Sequence, residues 1–315
     1  MSHPLLARAA AIDLPGRAAS LGYAAGWAAV RRLPERPGRV LFRAGADLAT
    51  RRDGKGVRRL RGNLARVTGR PPEELDDLVR AAVRSYARYW YEVFRLPALS
   101  PTDVERHFTT PREDRMWAAQ EQGRGVVFAL GHMANWDLAA AWLVGRGRPF
   151  TTVAERLEPA ALFDRFVAFR ESLGMEVLAL TGGERPPFEV LAERLRAGRL
   201  LCLLADRDLS AHGVGVDFFG ATATMPAGPA ALALETGAVL LPVTLHFADP
   251  AVDPHGTVCD VGEPVPHTDV ATMTQQVARH FEQGIAAAPQ DWHMLARLWR
   301  DDLDPSAAAR GGQSA

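Results

Sequence analysis

The residues best suited to chemistry lie in GRGVVFALGHMANWDLAAAWL, residues 123–143. An apolar run, VVFAL, stops at Gly131; His132 follows, and Asp137 stands further on, inside the start of a helical pattern. Histidine is the side chain best poised as a general base near neutral pH. A carboxylate on one ring nitrogen fixes its tautomer and stabilises the imidazolium that forms. On one continuous helix this spacing turns the two side chains about 140° apart, so they would not meet. They meet only if His132 sits in the turn before the helix and Asp137 in its first turn, with Asn135 as the cap. That arrangement lies just past the carboxyl end of a strand, where open α/β sheets bind ligands. The alternative is structural: a capping acid, and a turn histidine bonded to backbone. No serine or cysteine stands beside His132, so a base here would deprotonate a substrate hydroxyl. A second acid, Asp206, ends the apolar run LLCLLAD and reaches the same edge of the sheet.

The elements that must position these groups alternate from about residue 124. VVFAL (126–130), FTTVAER (150–156), MEVLAL (175–180), LLCLLAD (200–206) and VLLPVTL (239–245) read as strands, with helical segments between them. Continuous apolar runs are the mark of parallel strands buried on both faces. The expected fold is α/β: a mostly parallel, doubly wound central sheet flanked by helices, with an added helical N-terminal region. Residues 14–33 read as an amphipathic helix closed by Arg31, Arg32 and Pro34, and a second helix covers 40–52. PPEELDDLVRAAVRSYARYWYEVFRLP is the strongest helical signal, with Glu73, Glu74, Asp76 and Asp77 in its first turn. TMTQQVARHFEQGIAAAPQDWHMLARLWR reads as two helices broken near Pro289, and DPSAAARGGQSA as a disordered tail. The divisions are a helical region over 1–100, an α/β core over 101–303 and a tail over 304–315.

With 315 residues the chain can bury a sizeable core. Its zero formal charge hides an asymmetry. Residues 1–95 hold 19 Lys/Arg against 9 Asp/Glu, and the remainder carries the balancing acid. Lys55 is the sole lysine. A basic front end points to an anionic partner, such as a membrane surface; the alternative is a solvated face. Cys202 and Cys259 make no disulfide framework, which fits a reducing cytoplasm. No run reaches the ~18 apolar residues of a membrane span, and no cleavable signal is recognisable, which leaves peripheral attachment.

Three rival classes follow from the same residues. LTGGERPPFEV (180–190) as a phosphate loop lacks the Lys-Ser/Thr of a Walker sequence. A metal-dependent hydrolase on His132 and Asp137 would need further ligands, and only Asp206 and Asp208 qualify; His246, His255 and His267 show no ligand spacing, so no metal is expected. A non-catalytic lipid-binding module is the third.

The ordered blocks decide among them. His132-Met133-Ala134-Asn135-Trp136-Asp137, AERL with Glu155, ADRDL at 205–209, VDFFG at 216–220, MPAGPAALALETGAVLLPV at 225–243 and DWHMLARLW at 291–299 together resemble the bacterial lipid acyltransferases that act on lipid A precursors and on phosphatidylinositol mannosides. The resemblance spans roughly residues 70–300 and is closest to the mannoside branch. Met133 and Ala134 depart from the Trp-Gly or Leu-Gly often found there, which bears on substrate geometry and not on the base. The resemblance implies a glycerolipid-acyltransferase-like fold and direct transfer of a long-chain acyl group, palmitoyl by expectation. The donor would be acyl-CoA and the acceptor a glycophospholipid sugar hydroxyl, with no acyl-enzyme and no cofactor beyond the donor. A lipid A-type lauroyl or myristoyl transferase, often served by acyl carrier protein, is the alternative. His132 would be the base, Asp206 its partner and Asp137 the brace of the local turn, with backbone N–H groups of 134–137 near the oxyanion. Glu155 would bind sugar hydroxyls, Arg170 and Arg207 phosphates, and Trp136 the substrate. Phe218 and Phe219, with the Pro226–Pro229 turn, would shape the acyl groove. His212 would lie near the site in a glycine-rich loop, whereas His293 reads as a packing contact. The basic N-terminal helices would lie on an anionic leaflet at the cytoplasmic side of the plasma membrane, with no nucleic-acid partner.

Overall fold

A computed structural model describes residues 29–155, 160–182, 185–208 and 213–303. Three helices open it: α1 (Glu35–Arg52), α2 (Lys55–Thr68) and α3 (Asp76–Arg95). Pro34 breaks the chain before α1, and a 3-10 turn, Pro72–Glu74, leads into α3 with its acids at the start. The expected helix over 14–33 lies outside the described residues apart from its last turn, and the expected tail over 304–315 lies outside them altogether. Helices α1 and α3 approach closely because Gly38 has no side chain; a Cβ there would meet Tyr91 at 2.8 Å.

The rest of the chain runs α4 (Pro101–His107), β1 (Phe108–Thr109), α5 (Glu113–Ala118), β2 (Val126–Leu130), α6 (Trp136–Gly145), β3 (Phe150–Ala154), α7 (Ala160–Ser172), β4 (Glu176–Ala179), α8 (Pro187–Arg196), β5 (Leu200–Leu204), β6 (Val214–Phe218), β7 (Ala221–Met225), α9 (Gly228–Thr236), β8 (Val239–Phe247), β9 (Thr257–Val261), α10 (Val270–Ala287) and α11 (Arg300–Leu303). Seven strands form one sheet in the order β1-β9-β8-β2-β5-β3-β4. Its pairs are parallel except β8 with β9. The sheet is thus α/β and mostly parallel, as the apolar runs require. Strand β2 is its centre, and all five of its residues are buried. Strands β6 and β7 form a separate hairpin that the sequence reading passed over.

Two packed clusters hold the fold. One surrounds the sheet; the other joins α1, α2 and the first half of α3 through Leu60, Leu64, Leu75 and Val79. Helix α3 serves both, since Tyr89, Val93 and the following Leu96 belong to the sheet core. The helical region is therefore tied to the sheet along a shared element.

DWHMLARLWR does not form a second long helix. After α10 and a 3-10 turn at Pro289–Asp291, the chain runs extended until α11. Met133 bridges to Trp292, and Ala223 to Trp299. Both tryptophans are fully buried, with Trp299 Nε1 donating to the Phe218 carbonyl at 3.1 Å. Seating two large side chains in the core around Phe218 overrides the segment's helical propensity.

Candidate active site

The register of the central strands builds the site. Leu130 at the end of β2 lies opposite Leu204 at the end of β5. His132 and Asp206 each lie two residues beyond those ends and emerge side by side at the carboxyl edge of the sheet. His132 Nδ1 is 2.5 Å from Asp206 Oδ1, and the His132 backbone N–H donates to Oδ2 at 2.9 Å. Trp292 Nε1 also donates to Oδ2, at 2.9 Å. Asp206 is wholly buried. Burial by itself would raise its pKa, but the His132 charge and the hydrogen bonds from His132 and Trp292 outweigh that and hold it below the usual carboxylate value. An ionised Asp206 accepts from Nδ1–H, so the neutral imidazole carries its free lone pair on Nε2. The ring is 23% exposed and borders a cavity of about 740 Å³.

Asp137 does not reach the imidazole. It is buried at the start of α6 and binds two other elements. Tyr89 of α3 donates to Oδ2 at 2.8 Å, and Arg170 of α7 donates Nε to Oδ1 at 2.9 Å and Nη2 to Oδ2 at 3.3 Å. Desolvation alone would lower the Arg170 pKa; the neighbouring Asp137 and Tyr89 raise it instead. The brace of the turn is a different residue: Asn135 Oδ1 accepts from Leu138 N–H at 3.0 Å, while its Nδ2 donates to Glu92 at 2.9 Å. Ala134 turns the chain with φ +43°, and its N–H donates to the Asp291 carbonyl at 2.9 Å. Hence Ala134 is spent as an oxyanion donor, and the Trp136 and Asp137 N–H groups, in the first turn of α6, precede the first helical bond.

The other expected substrate residues fall into two groups. Glu155, Arg170, Arg207 and Trp136 border the cavity, with Asp208 beside them. Glu155 and Arg207 face each other at 3.7 Å. Trp136 stacks on Tyr89 with ring centres 4.1 Å apart and stands edge-on to His132 at 5.6 Å. Val153, Leu180, Phe188, Leu203 and Leu232 supply an apolar wall, and Pro226 and Pro229 lie on the border as well. Phe218 and Phe219 do not line this cavity. Phe218 is fully buried between Trp292 and Trp299, and Phe219 holds the β6–β7 turn at φ +50°. Alternation along β6 points Phe218 into the core, and the hairpin tip takes Phe219. The expected His212 lies outside the described residues.

Several residues here were not singled out for a role. Tyr89 and Ser85 carry no motif, and Asp291 and Trp292 belong to the DWH block without a role assigned to either. Ser85 Oγ donates to Asp291 Oδ1 at 2.7 Å and lies 3.0 Å from His293 Nε2. His293 is buried and also borders the cavity. Burial first, and then the His132 charge, push its pKa down to about 3, so the ring is neutral at ordinary pH. Ser85 spends its one proton on Asp291 and so accepts from Nε2–H. Only the DWH block itself could have pointed to this corner.

Among the described residues no group of three His, Cys, Asp or Glu side chains is arranged to hold a metal ion. The arrangement offers instead an oriented base, an apolar wall and a polar rim. That combination suits attack by a hydroxyl on an acyl group whose chain needs an apolar surface.

Comparison with known proteins agrees. A family model described as bacterial lipid A biosynthesis acyltransferase matches residues 7–301. A phosphatidylinositol mannoside acyltransferase of Mycolicibacterium smegmatis is 51% identical over 302 residues, covering 96% of this chain and 98% of that one. One of Mycobacterium tuberculosis is 50% identical over 299 residues, covering 91% and 90%. The chain is therefore an acyltransferase, a member of the bacterial lipid A biosynthesis acyltransferase family.

Proposed function

We propose that the enzyme moves a long-chain acyl group, palmitoyl in the first instance, from acyl-CoA to a sugar hydroxyl of a phosphatidylinositol mannoside. The observation that carries the chemistry is the buried Asp206 carboxylate on His132 Nδ1, which leaves Nε2 for the cavity. The two mannoside relatives, each about half identical over nearly the whole chain, support the acceptor.

In this mechanism Nε2 of His132 takes the proton of the acceptor hydroxyl as its oxygen attacks the thioester carbonyl. The imidazolium is stabilised by Asp206. The tetrahedral oxyanion collapses, the C–S bond breaks, and the proton passes from His132 to the departing thiolate. The first-turn N–H groups of α6 and the positive end of that helix favour the transient negative charge. No protein nucleophile takes part, so no acyl-enzyme forms. Glu155 and the Arg170–Asp137 pair lie where a sugar would be held, and the apolar wall receives the chain.

Attachment to the cytoplasmic face of the membrane belongs to the same reading. Helix α1 exposes Val40, Leu41 and Leu48 among Arg36, Arg43, Arg51 and Arg52. Apolar side chains flanked by arginine suit the headgroup region of an anionic leaflet. Among the described residues no helix is long and apolar enough to cross a membrane.

The test is acyl transfer followed by mass spectrometry. Wild-type enzyme is offered palmitoyl-CoA with either a phosphatidylinositol mannoside or a lipid A precursor. Product on the mannoside alone, lost in His132→Ala, is the expected result. Product on the lipid A precursor alone would move the enzyme to the other branch, and full activity in His132→Ala would remove the base.

A further inference from the structure

Beside the catalytic cavity lies a second one, of about 500 Å³, and it is basic. Lys55, Arg58, Arg59 and Arg297 line it, with Asn63 and Asp302. Arg59 also borders the catalytic cavity, so the two are neighbours across one side chain. The cations converge for structural reasons. On α2 the three-to-four spacing sets Lys55, Arg58, Arg59 and Gly62 on one face, while Val57, Leu60 and Leu64 face the helical core. A Cβ at Gly62 would meet nothing within 4 Å, so the middle of that face is open. From the floor, Asn63 Nδ2 donates to the carbonyls of Met294 at 2.7 Å and Ala296 at 3.0 Å. That grip carries Arg297 across to the α2 cations.

The charges are not balanced internally. The one carboxylate in the lining, Asp302, is held by Arg66 at 3.0 Å. Arg58 has only a 3.5 Å contact with Asp53. Among the described residues Lys55, Arg59 and Arg297 have no ion-pair partner. Four clustered cations in a concave site raise the local concentration of anions, and guanidinium forks match phosphate oxygens.

We infer that this cleft holds a phosphate group of a substrate whose reacting end lies at His132. It rests on the proposed reaction for its purpose, though not for its detection. Two substrates of that reaction bear phosphate: the nucleotide portion of acyl-CoA, and the phosphodiester of the glycolipid acceptor. The chemistry recognised is the same.

Calorimetry separates them without any turnover. The triple variant Lys55→Ala/Arg58→Ala/Arg297→Ala changes exposed side chains, and its unfolding midpoint is checked against wild type. Both proteins are titrated with coenzyme A, with adenosine 3′,5′-bisphosphate and with glycerophosphoinositol. The expected result is a loss of tenfold or more in affinity for at least one of them in the variant. Loss confined to the two nucleotides assigns the cleft to the donor, and loss confined to glycerophosphoinositol assigns it to the acceptor. In the donor case kcat/KM for palmitoyl-CoA, relative to palmitoyl-pantetheine, also falls about tenfold. Affinities unchanged for all three, or no binding to folded wild type, overturn the inference. A wild type that binds these ligands but transfers no acyl group would instead remove the proposed reaction and leave the cleft standing.

Discussion

His132 takes its carboxylate partner from Asp206 and not from Asp137, the acid that the local motif suggests. Asp206 orients the imidazole, and Asp137 binds Arg170 and Tyr89. Their variants should therefore fail differently. Asp206→Asn can no longer hold Nδ1–H in place, and kcat should drop about a thousandfold or more with little change in KM. Asp137→Ala leaves the half-buried Arg170 without its anion and the buried Tyr89 hydroxyl without its acceptor, and unfolding in urea should show a loss of about 2–4 kcal/mol. A normal kcat in Asp206→Asn would reverse the assignment. His293 makes a prediction in pH. Its folded pKa of about 3 lies below its unfolded value, so the unfolded chain gains a proton first as pH falls. Stability from this group is complete above about pH 6.5 and is lost as pH falls toward 3, reaching about 2 kcal/mol by pH 5. His255 and His280, also lowered by burial, act in the same sense. His293→Gln should flatten the fall in melting temperature between pH 7 and pH 5.

Among the elements, the pairing of β2 with β5 matters most. Both runs are continuously apolar, and this made the strands and their parallel arrangement legible. The block order around them pointed to Asp206 before any register was known. What stayed hidden were contacts made by residues with ordinary apolar roles. Tyr89 reads as one more position on a helical stripe, yet its hydroxyl holds Asp137. Trp292 sits in a run of good helix formers, and its buried indole on Asp206, with Trp299 buried further on, explains the extended chain. Phe218 and Phe219 fall away from the cavity, and a two-residue aromatic pair says nothing about which face of a hairpin each will take. Ala134 explains a departure in the motif itself. Its left-handed backbone is the conformation that glycine adopts at no steric cost. Ala134→Gly should lie within about 1 kcal/mol of wild type, as strain relief offsets the lost methyl. Ala134→Val should lose about 2–4 kcal/mol, because a β-branched side chain is poorly tolerated there. Thermal melts of the pair check both.

For the molecule as a whole, the charge asymmetry and the exposed face of α1 lead to one expectation. The enzyme should bind anionic vesicles and release them as salt rises, since headgroup attraction is screened over about 8 Å at physiological ionic strength. Val40→Asp/Leu41→Asp/Leu48→Asp should weaken cosedimentation at least tenfold while the melting temperature holds, because those side chains are already in water. Unchanged cosedimentation would place the membrane contact elsewhere.

The extended segment after Pro289 has a consequence in time. Asp206 receives its third hydrogen bond from Trp292, and His293 N–H meets the His132 carbonyl at 2.8 Å. A ribosome delivers these residues more than eighty positions after Asp206, and so well after strands β2 and β5. The growing polypeptide can thus pair β2 with β5 while its catalytic corner still lacks one side. His132 and Asp206 gain their full set of partners only once the residues after Pro289 have followed.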